Sequence, residues 1–461
     1  MKSRQYDFTK GHPGKQMVLF SLPVMLTNVL QVSYQFIDSL WVGNLIGADA
    51  LGAVAVSSTV LFTILSFMIG MNNTVLTILS QQKGKQDYAS LKRYLNAFVV
   101  IFSSLSVLIG IAGVILADPL LNLLGTPEAL MAKARSYFQI NVLATFLLFG
   151  YNFIGTVMRA LGDSRTPLRF VFIAVLLNTV LDPFMIAGLD LGIEGAAYAT
   201  VISQGLAFLL GVIYMIRRRL APFSIPRLPS RQDTFLIFKL GIPAGLQMSV
   251  ISAGSAAIMS VVTSFGASVV AGFSAAQRLD SLIMLPAMAL GTTVNSMAGQ
   301  NIGIQKWERV YRIARFGVLY NLAIMLAIAL IVFVLAEPAI RLFIDEPDAV
   351  EFGTRYLRII AFLYPFLGIN FILNGIVRAA GAMYSVLVLN LLSFWVLRYP
   401  LTFLFSSIYG SDGIALGMGL SLVISSLVAY LYFRYGKWNE IKLFEADGSE
   451  TEKQKENDAG S

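Results

Sequence analysis

Cysteine is absent from this 461-residue chain, and histidine occurs once, at His12. No disulfide frame, thiolate metal site or cysteine nucleophile can be built. A histidine metal cluster and a Ser–His–Asp arrangement are excluded with them. Charge is scarce too. Asp, Glu, Lys and Arg make up 13% of the chain against 56% hydrophobic residues, where a soluble domain carries roughly 25% charge. Mean hydropathy is +0.72, and only a membrane solvent tolerates this much apolar surface. The net charge of +8 invites a nucleic-acid reading. Placement rules it out, because the basic residues lie in short loops between apolar spans, the positive-inside distribution. No signal peptide is apparent: the first apolar stretch is too long for an h-region and no cleavage-like site follows, so it reads as a retained first helix.

A bilayer core of about 30 Å needs roughly 20 helical residues. The apolar runs predict twelve spans, near 16–43, 51–79, 94–117, 136–158, 168–188 and 193–216, then 235–263, 269–297, 312–336, 356–377, 385–408 and 413–435. One set of loops holds Lys83, Lys85, Lys92 and Arg93, then Arg159, Arg165 and Arg169, then Arg217, Arg218, Arg219, Arg227 and Arg231, then Lys306, Arg309 and Arg312. The other set holds Asp49, Asp118, Glu128, Asp190, Glu194, Glu337, Asp345, Glu346, Asp348 and Asp412. The basic set is expected in the cytoplasm, with both termini.

The chain also repeats itself. Pro23 answers to Pro243, Gly47-Ala48 to Gly266-Ala267, Gln81-Gln82-Lys83-Gly84 to Gln300-Asn301-Ile302-Gly303, and Met158-Arg159-Ala160-Leu161-Gly162 to Val377-Arg378-Ala379-Ala380-Gly381. Gly192-Ile193-Glu194-Gly195 answers to Gly410-Ser411-Asp412-Gly413. A constant offset of about 219 positions marks a duplicated unit. Six spans per unit is an even number, so the halves are parallel repeats, as in transporters built from two like lobes. The expected fold class is therefore an all-α integral membrane protein of twelve transmembrane helices in two six-helix lobes. Its expected divisions are an N-terminal stub at 1–15, a first lobe at 16–216, a Pro- and Arg-bearing linker at 217–234, a second lobe at 235–440 and a tail at 441–461. The polar stretch 445–461 is expected to be disordered.

An ionisable side chain inside a span costs roughly 2.5–3.5 kcal/mol on insertion scales and is a functional suspect by default. The candidates are Asp38 in span 1, Asp182 in span 5, Arg278 and Asp280 in span 8, and Arg398 in span 11. Asp38 lies six residues before Asn44 and Asp182 six before Gly188, about 9 Å at 1.5 Å per residue. Thr200, seven residues into span 6, reaches a similar level of about 10 Å. Asn178 is one turn from Asp182, Tyr34 and Gln31 share the Asp38 face, and Gln204 is one turn from Thr200. These residues predict a polar cavity in the first lobe, with Asn152 added as a lining residue. Two carboxylates at one depth in low dielectric resist joint ionisation, so one of them is expected to hold a proton. The same oxygens of Asp38, Asn178, Asp182 and Thr200 also suit Na+. Asp38 falls opposite Ala257, and Asp182 near Tyr399-Pro400, so the second half lacks the pair. Arg278, Asp280 and Arg398 read there as an interhelical ion pair that fixes packing. Pro23, fifteen residues before Asp38, removes a helix hydrogen bond and reads as a hinge.

The stretches Gly47-Ala48-Asp49-Ala50-Leu51-Gly52-Ala53, Arg159-Ala160-Leu161-Gly162-Asp163-Ser164-Arg165-Thr166-Pro167, Ala298-Gly299-Gln300-Asn301-Ile302-Gly303 and Gly192-Ile193-Glu194-Gly195-Ala196-Ala197 resemble the multidrug and toxic compound extrusion (MATE) family over about residues 12–440. The resemblance implies two six-helix bundles around a central cleft that export cationic or amphipathic drugs against inward H+ or Na+. It is most like the DinF-type branch, whose coupling elements Asp38, Pro23, Asn178, Asp182 and Thr200 match. Where the NorM-type branch has a glutamate in span 7, this chain has Gln247, so the reading leans to H+ in the first lobe. The implied protein is a plasma-membrane exporter, in all expectation of a bacterial inner membrane. It acts as a monomer on small-molecule drugs or toxic organic cations, with no enzyme activity, no resident metal and no cofactor beyond the coupling ion. A flippase for a lipid-linked saccharide is the alternative. An intramembrane aspartyl protease using Asp38 and Asp182 is disfavoured, because the contexts Phe36-Ile37-Asp38 and Val180-Leu181-Asp182 lack the Tyr-Asp and Gly-x-Gly-Asp patterns of such enzymes.

Overall fold

The computed structural model describes residues 5–444; the tail stretch 445–461 lies outside the described residues. Among them the protein is all helix and loop. The first half runs α1 (Pro13–Leu45), α2 (Ala48–Lys85), α3 (Tyr88–Ile115), the short α4 (Ala117–Leu123), α5 (Glu128–Leu143), α6 (Thr145–Ala160), α7 (Arg165–Pro183) and α8 (Gly192–Arg217). The second half runs α9 (Arg231–Thr263), α10 (Ala267–Ile283), α11 (Leu285–Gly303), α12 (Trp307–Arg341), α13 (Pro347–Ala361), α14 (Tyr364–Ala379), α15 (Met383–Leu391), α16 (Tyr399–Tyr409) and α17 (Asp412–Tyr435). Ten segments are long and apolar enough to cross a bilayer, and twelve when the bent pairs α5–α6 and α13–α14 each count as one span. These two spans begin earlier than the apolar runs imply, because their first halves are only weakly apolar, and they bend by 51° and 52°. At the first bend Thr145 Oγ donates to the Val142 carbonyl at 2.6 Å, a side-chain bond that competes with the helix ladder. At the second, Pro365 opens α14.

Hydropathy and burial run in opposite directions here, as the lipid solvent requires. Span α12 has the highest hydropathy, 2.8, with 17% of its apolar window buried, whereas α10–α11 has 1.3 with 72% buried. The most apolar helix faces lipid, and the least apolar one, rich in Gly, Ala and Ser, lies at the centre, where small residues let backbones approach.

The lobes meet where α2 and α11 cross, near the end that carries the basic loops and the first described residues. Gly84 seats on the Gln300 backbone and Gly303 on the Gln81 backbone, so any β-carbon would strike the partner helix. Around this crossing the repeat becomes a set of paired hydrogen bonds. Thr77 Oγ and Gln81 Nε donate to the carbonyls of Arg378 and Ala379 at 3.0 and 2.6 Å. Ser296 Oγ and Gln300 Nε donate to the carbonyls of Arg159 and Ala160 at 2.7 and 3.2 Å. Helix C-termini leave orphan carbonyls, which in a bilayer have no water to turn to. Each lobe therefore closes the helix ends of the other. The helices stop at Gly162 (φ +87°) and Gly381 (φ +90°), the left-handed C-terminal position that glycine fills without strain.

Residues 5–12 are not a free stub. Phe8 is fully buried; its N–H donates to Gln300 Oε and its carbonyl accepts from Asn301 Nδ and Arg309 Nε, while the Tyr6 N–H reaches the Gly162 carbonyl at 2.9 Å. The segment thus spans both lobes beneath the crossing. Beyond α8 the connection is pinned by Asn96, which exchanges two hydrogen bonds with the Arg227 backbone.

Gly299 sits against the Ser80 side chain, with only 2.9 Å between its built β-carbon and Ser80 Cβ. A disulfide needs about 3.5–4.5 Å, so a Ser80→Cys/Gly299→Cys pair is expected to cross-link after slight relaxation, cleanly because the chain has no native cysteine. With a protease site placed in the connection at 222–229, the halves remain joined on a non-reducing gel; separation under those conditions contradicts this crossing.

Candidate coupling site and substrate cavity

The first lobe lines a half-open cavity of about 1070 Å³, walled on one side by α9 of the second. Of the residues singled out by sequence, Gln31, Tyr34, Asp38, Asn152, Thr200 and Gln204 line it. It occupies the half of the molecule away from the basic end, since its α2 wall runs from Leu51 to Ile69 and the crossing begins at Thr77. Asp38 is the one Asp, Glu, Lys or Arg among the described lining residues. Hydroxyls and amides supply the remaining polarity.

Asp182 and Asn178 stand behind the cavity wall, each fully buried, with Asn178 Nδ donating to Asp182 Oδ1 at 2.9 Å. Asp182 lies within electrostatic reach of Asp38. Its helix ends at Pro183, whose ring removes an N–H, and a π-helical turn, Phe184–Gly188, follows. A turn of this kind is common at functional sites, and here it sets Asp182 just ahead of the irregular backbone. Four polar atoms in this group have no hydrogen-bond partner: Asp38 Oδ1, Asp182 Oδ2, Asn178 Oδ1 and the Tyr34 hydroxyl. The Tyr34 hydroxyl is turned toward Thr200 and Gln204, but no bond of good geometry closes. Three of the four are acceptor oxygens, and buried polar groups as a rule are paired. The arrangement therefore offers places for a positive occupant, a proton or a small cation.

Pro23 is buried within α1, which continues through it, and Thr27 Oγ donates to the Pro23 carbonyl at 2.7 Å. Gln247 is buried in α9 with its Oε unpartnered.

In the second lobe the expected ion pair does not form. Asp280 accepts hydrogen bonds from the hydroxyls of Tyr356 and Tyr364. Arg278 lies over the Phe343 ring at 5.6 Å. Arg398, in the π-helical turn Leu392–Arg398, stacks on Phe394 at 4.1 Å and donates to Ser421 Oγ at 3.3 Å. Asp280 and Arg398 lie on separate helices, and each meets other groups: tyrosine hydroxyls take the carboxylate, while an aromatic ring and a serine hydroxyl take the guanidinium.

Several lining groups escape a search for charge. Tyr137, Asn141 and Tyr151 face the cavity, as do Ser58, Thr59, Thr63 and Ser66 of α2 and Ser249 and Ser252 of α9. Their available signal is a hydroxyl stripe at helical spacing in an apolar span, weak because Thr59 and Thr63 satisfy themselves on their own helix.

The sequence pattern of MatE matches residues 23–184 and again 243–404, once in each repeat. The chain belongs to the MatE family. A MatE chain named probable multidrug resistance protein YpnP, from Bacillus subtilis (strain 168), is 61% identical over 441 residues, covering 96% of this chain and 99% of that one. The probable multidrug resistance protein YoeA of the same organism is 28% identical over 439 residues, covering 93% and 95%. Among solved structures, the Vibrio cholerae MATE transporter VcmN in the bent form superposes with a TM-score of 0.88 at 24% identity, covering 94% of this chain and 99% of that one. The shared MATE fold carries two six-helix lobes.

Because Asp280 is held by two tyrosines and does not line the cavity, its environment in this MatE chain is structural. Tyr364→Phe removes one donor from a half-buried carboxylate, at an expected cost of about 1–3 kcal/mol. The thermal midpoint in detergent falls while export continues; lost export with an unchanged midpoint would contradict the assignment.

Proposed function

We propose that this MatE chain is a secondary active exporter that moves cationic or amphipathic small molecules outward against an inward flow of H+. It works in a bacterial plasma membrane with both termini in the cytoplasm. One observation carries the reading. A cavity roomy enough for a drug-sized ligand bears one carboxylate and no basic side chain, and the acid groups there and behind it retain unpaired oxygens. Such a wall attracts an organic cation and repels an anion. The names of the relatives, probable multidrug resistance proteins, support export over the saccharide-lipid alternative.

The coupling runs as follows. Protonation of Asp38 and Asp182 removes negative charge from the first lobe and loosens its hold on a bound cation; loss of the protons restores it. Occupancy by H+ and by the drug thus compete, which is the requirement for antiport, and each occupant shifts the lobes by its differential affinity for the two conformations. Asn178 and Thr200 complete the acid pocket, and Pro23 hinges α1 below it, as in the DinF-type branch. The protein acts as a monomer and uses no cofactor beyond the ion. Na+ is the second reading, favoured by the free oxygens of Asp38, Asp182 and Asn178. H+ is preferred because two carboxylates confined to one apolar lobe gain most from sharing protons.

The test is export of a fluorescent organic cation from proteoliposomes under an imposed pH gradient, with and without Na+. The wild type exports without Na+, and Asp38→Asn falls to the level of empty liposomes although it inserts normally. Export by Asp38→Asn at the wild-type rate would falsify the coupling role, and an absolute need for Na+ would replace H+ as the ion.

A further inference from the structure

Below the large cavity, on the way to the basic end, the first lobe holds a second and much smaller one, of about 20 Å³. That is room for a single water molecule. Gln31, Tyr151 and Asn152 line both cavities, so the two share a wall. Thr27 continues the polar face of α1 downward, and Arg159 in the last turn of α6 lines the lower part. Gln31 lies seven residues from Asp38 and Arg159 eight from Tyr151, about 10 and 12 Å of helix rise at 1.5 Å per residue. Polar side chains thus form a column inside the lobe from the acid pocket to the basic end, away from the central cleft.

Arg159 has no carboxylate partner. Its side chain donates to Thr156 Oγ at 2.9 Å, one turn back on its own helix, its Nε is buried without an acceptor, and none of the ion pairs among the described residues includes it. Tyr151 is the titratable group that faces it. A guanidinium cannot shed its charge, so leaving it unpaired in an apolar lobe is costly unless the charge has a use. A fixed positive charge on a narrow polar path is the device by which pores reject protons and cations.

We propose that this column is the route by which the coupling proton leaves the Asp38 pocket for the basic end, and that Arg159 is the positive barrier that keeps the route shut in this conformation. The inference rests on the H+-coupled reading. In the other lobe Arg378 holds the corresponding position, its Nε likewise buried and unpartnered, but Ala257 stands where the first lobe has Asp38. A route there would have no acid to serve. Arg378 is therefore an internal control for any effect of removing a half-buried arginine next to the lobe crossing.

The experiment uses drug-free proteoliposomes of the full chain, an imposed pH gradient, a trapped pH-sensitive dye, and K+ with valinomycin to prevent charge build-up. Wild type, Arg378→Ala and Arg159→Lys are expected to hold the gradient. Arg159→Ala is expected to dissipate it about tenfold faster, as removal of a positive barrier predicts. Adding Asp38→Asn to Arg159→Ala restores tightness, because the proton then has no station above the gap. Equal insertion of every variant is checked by protein recovered in the liposomes. A tight Arg159→Ala overturns the proposal. So does a leak of equal size in Arg159→Lys or Arg378→Ala, which assigns the effect to packing, or a leak that survives Asp38→Asn, which puts the path elsewhere. Failure of the H+-export reading appears separately, as drug export by Asp38→Asn alone, so the two failures are distinguishable.

Discussion

Two carboxylates share one apolar lobe with a single amide donor between them, and the protein leaves them short of partners. Asp182 takes one hydrogen bond from Asn178, and Asp38 Oδ1 takes none. A bilayer offers no water to make good the deficit. On the proposed reading the lobe has two electrostatic states, one with the acids loaded and one with them bare, beside a cavity that bears no basic side chain among the described residues. The rest of the architecture holds this deficit in place. The break after Pro183 fixes the end of the Asp182 helix, α1 runs unbroken past Pro23 to Asp38, and α9 of the opposite lobe closes the cavity wall.

The second lobe shows what the same scaffold does when the deficit is removed. Its carboxylate, Asp280, is met by two tyrosine hydroxyls, and its arginines rest on aromatic rings. Both lobes nevertheless keep the parts that make them stick. Thr77 and Gln81 answer to Ser296 and Gln300, each pair closing the orphan carbonyls of the facing helix end. Duplication has thus preserved the interface and divided the chemistry. The crossing itself is built of side-chain donors to backbone carbonyls with glycine seats beneath, and one ion pair, Arg93 with the buried Asp233 at 3.4 Å, adds a charged tie between the lobes.

Most of the architecture was legible in the sequence, because hydropathy and the repeat are long-range signals that no local packing reverses. Thus α1, α3 and α12 fall where the apolar runs lie. The bends before Thr145 and Tyr364 were not legible, since they arise from local capping and from tertiary docking of weakly apolar half-helices. Asp38, Asp182 and Thr200 could be placed on one level from helix rise alone, with Tyr34 and Gln204 one turn away on the same faces. The position of Asp182 behind the wall, the facing tyrosines Tyr137 and Tyr151, and the docking of Phe8 under the crossing depend on how helices pack. Arg278, Asp280 and Arg398 misled because opposite charges in spans of one lobe suggest an interhelical pair, whereas tyrosine hydroxyls and aromatic rings, which carry no charge signal, meet them instead.

The claim on which this account stands is that drug and proton compete for the acid groups of the first lobe. Its most direct measurement is proton release into a weakly buffered detergent solution of the purified protein on addition of an organic cation, followed with an indicator dye. The account predicts release from the wild type that saturates with the ligand and is lost in Asp38→Asn. Ligand binding with no proton released, or release that persists undiminished without the Asp38 carboxyl, would contradict it.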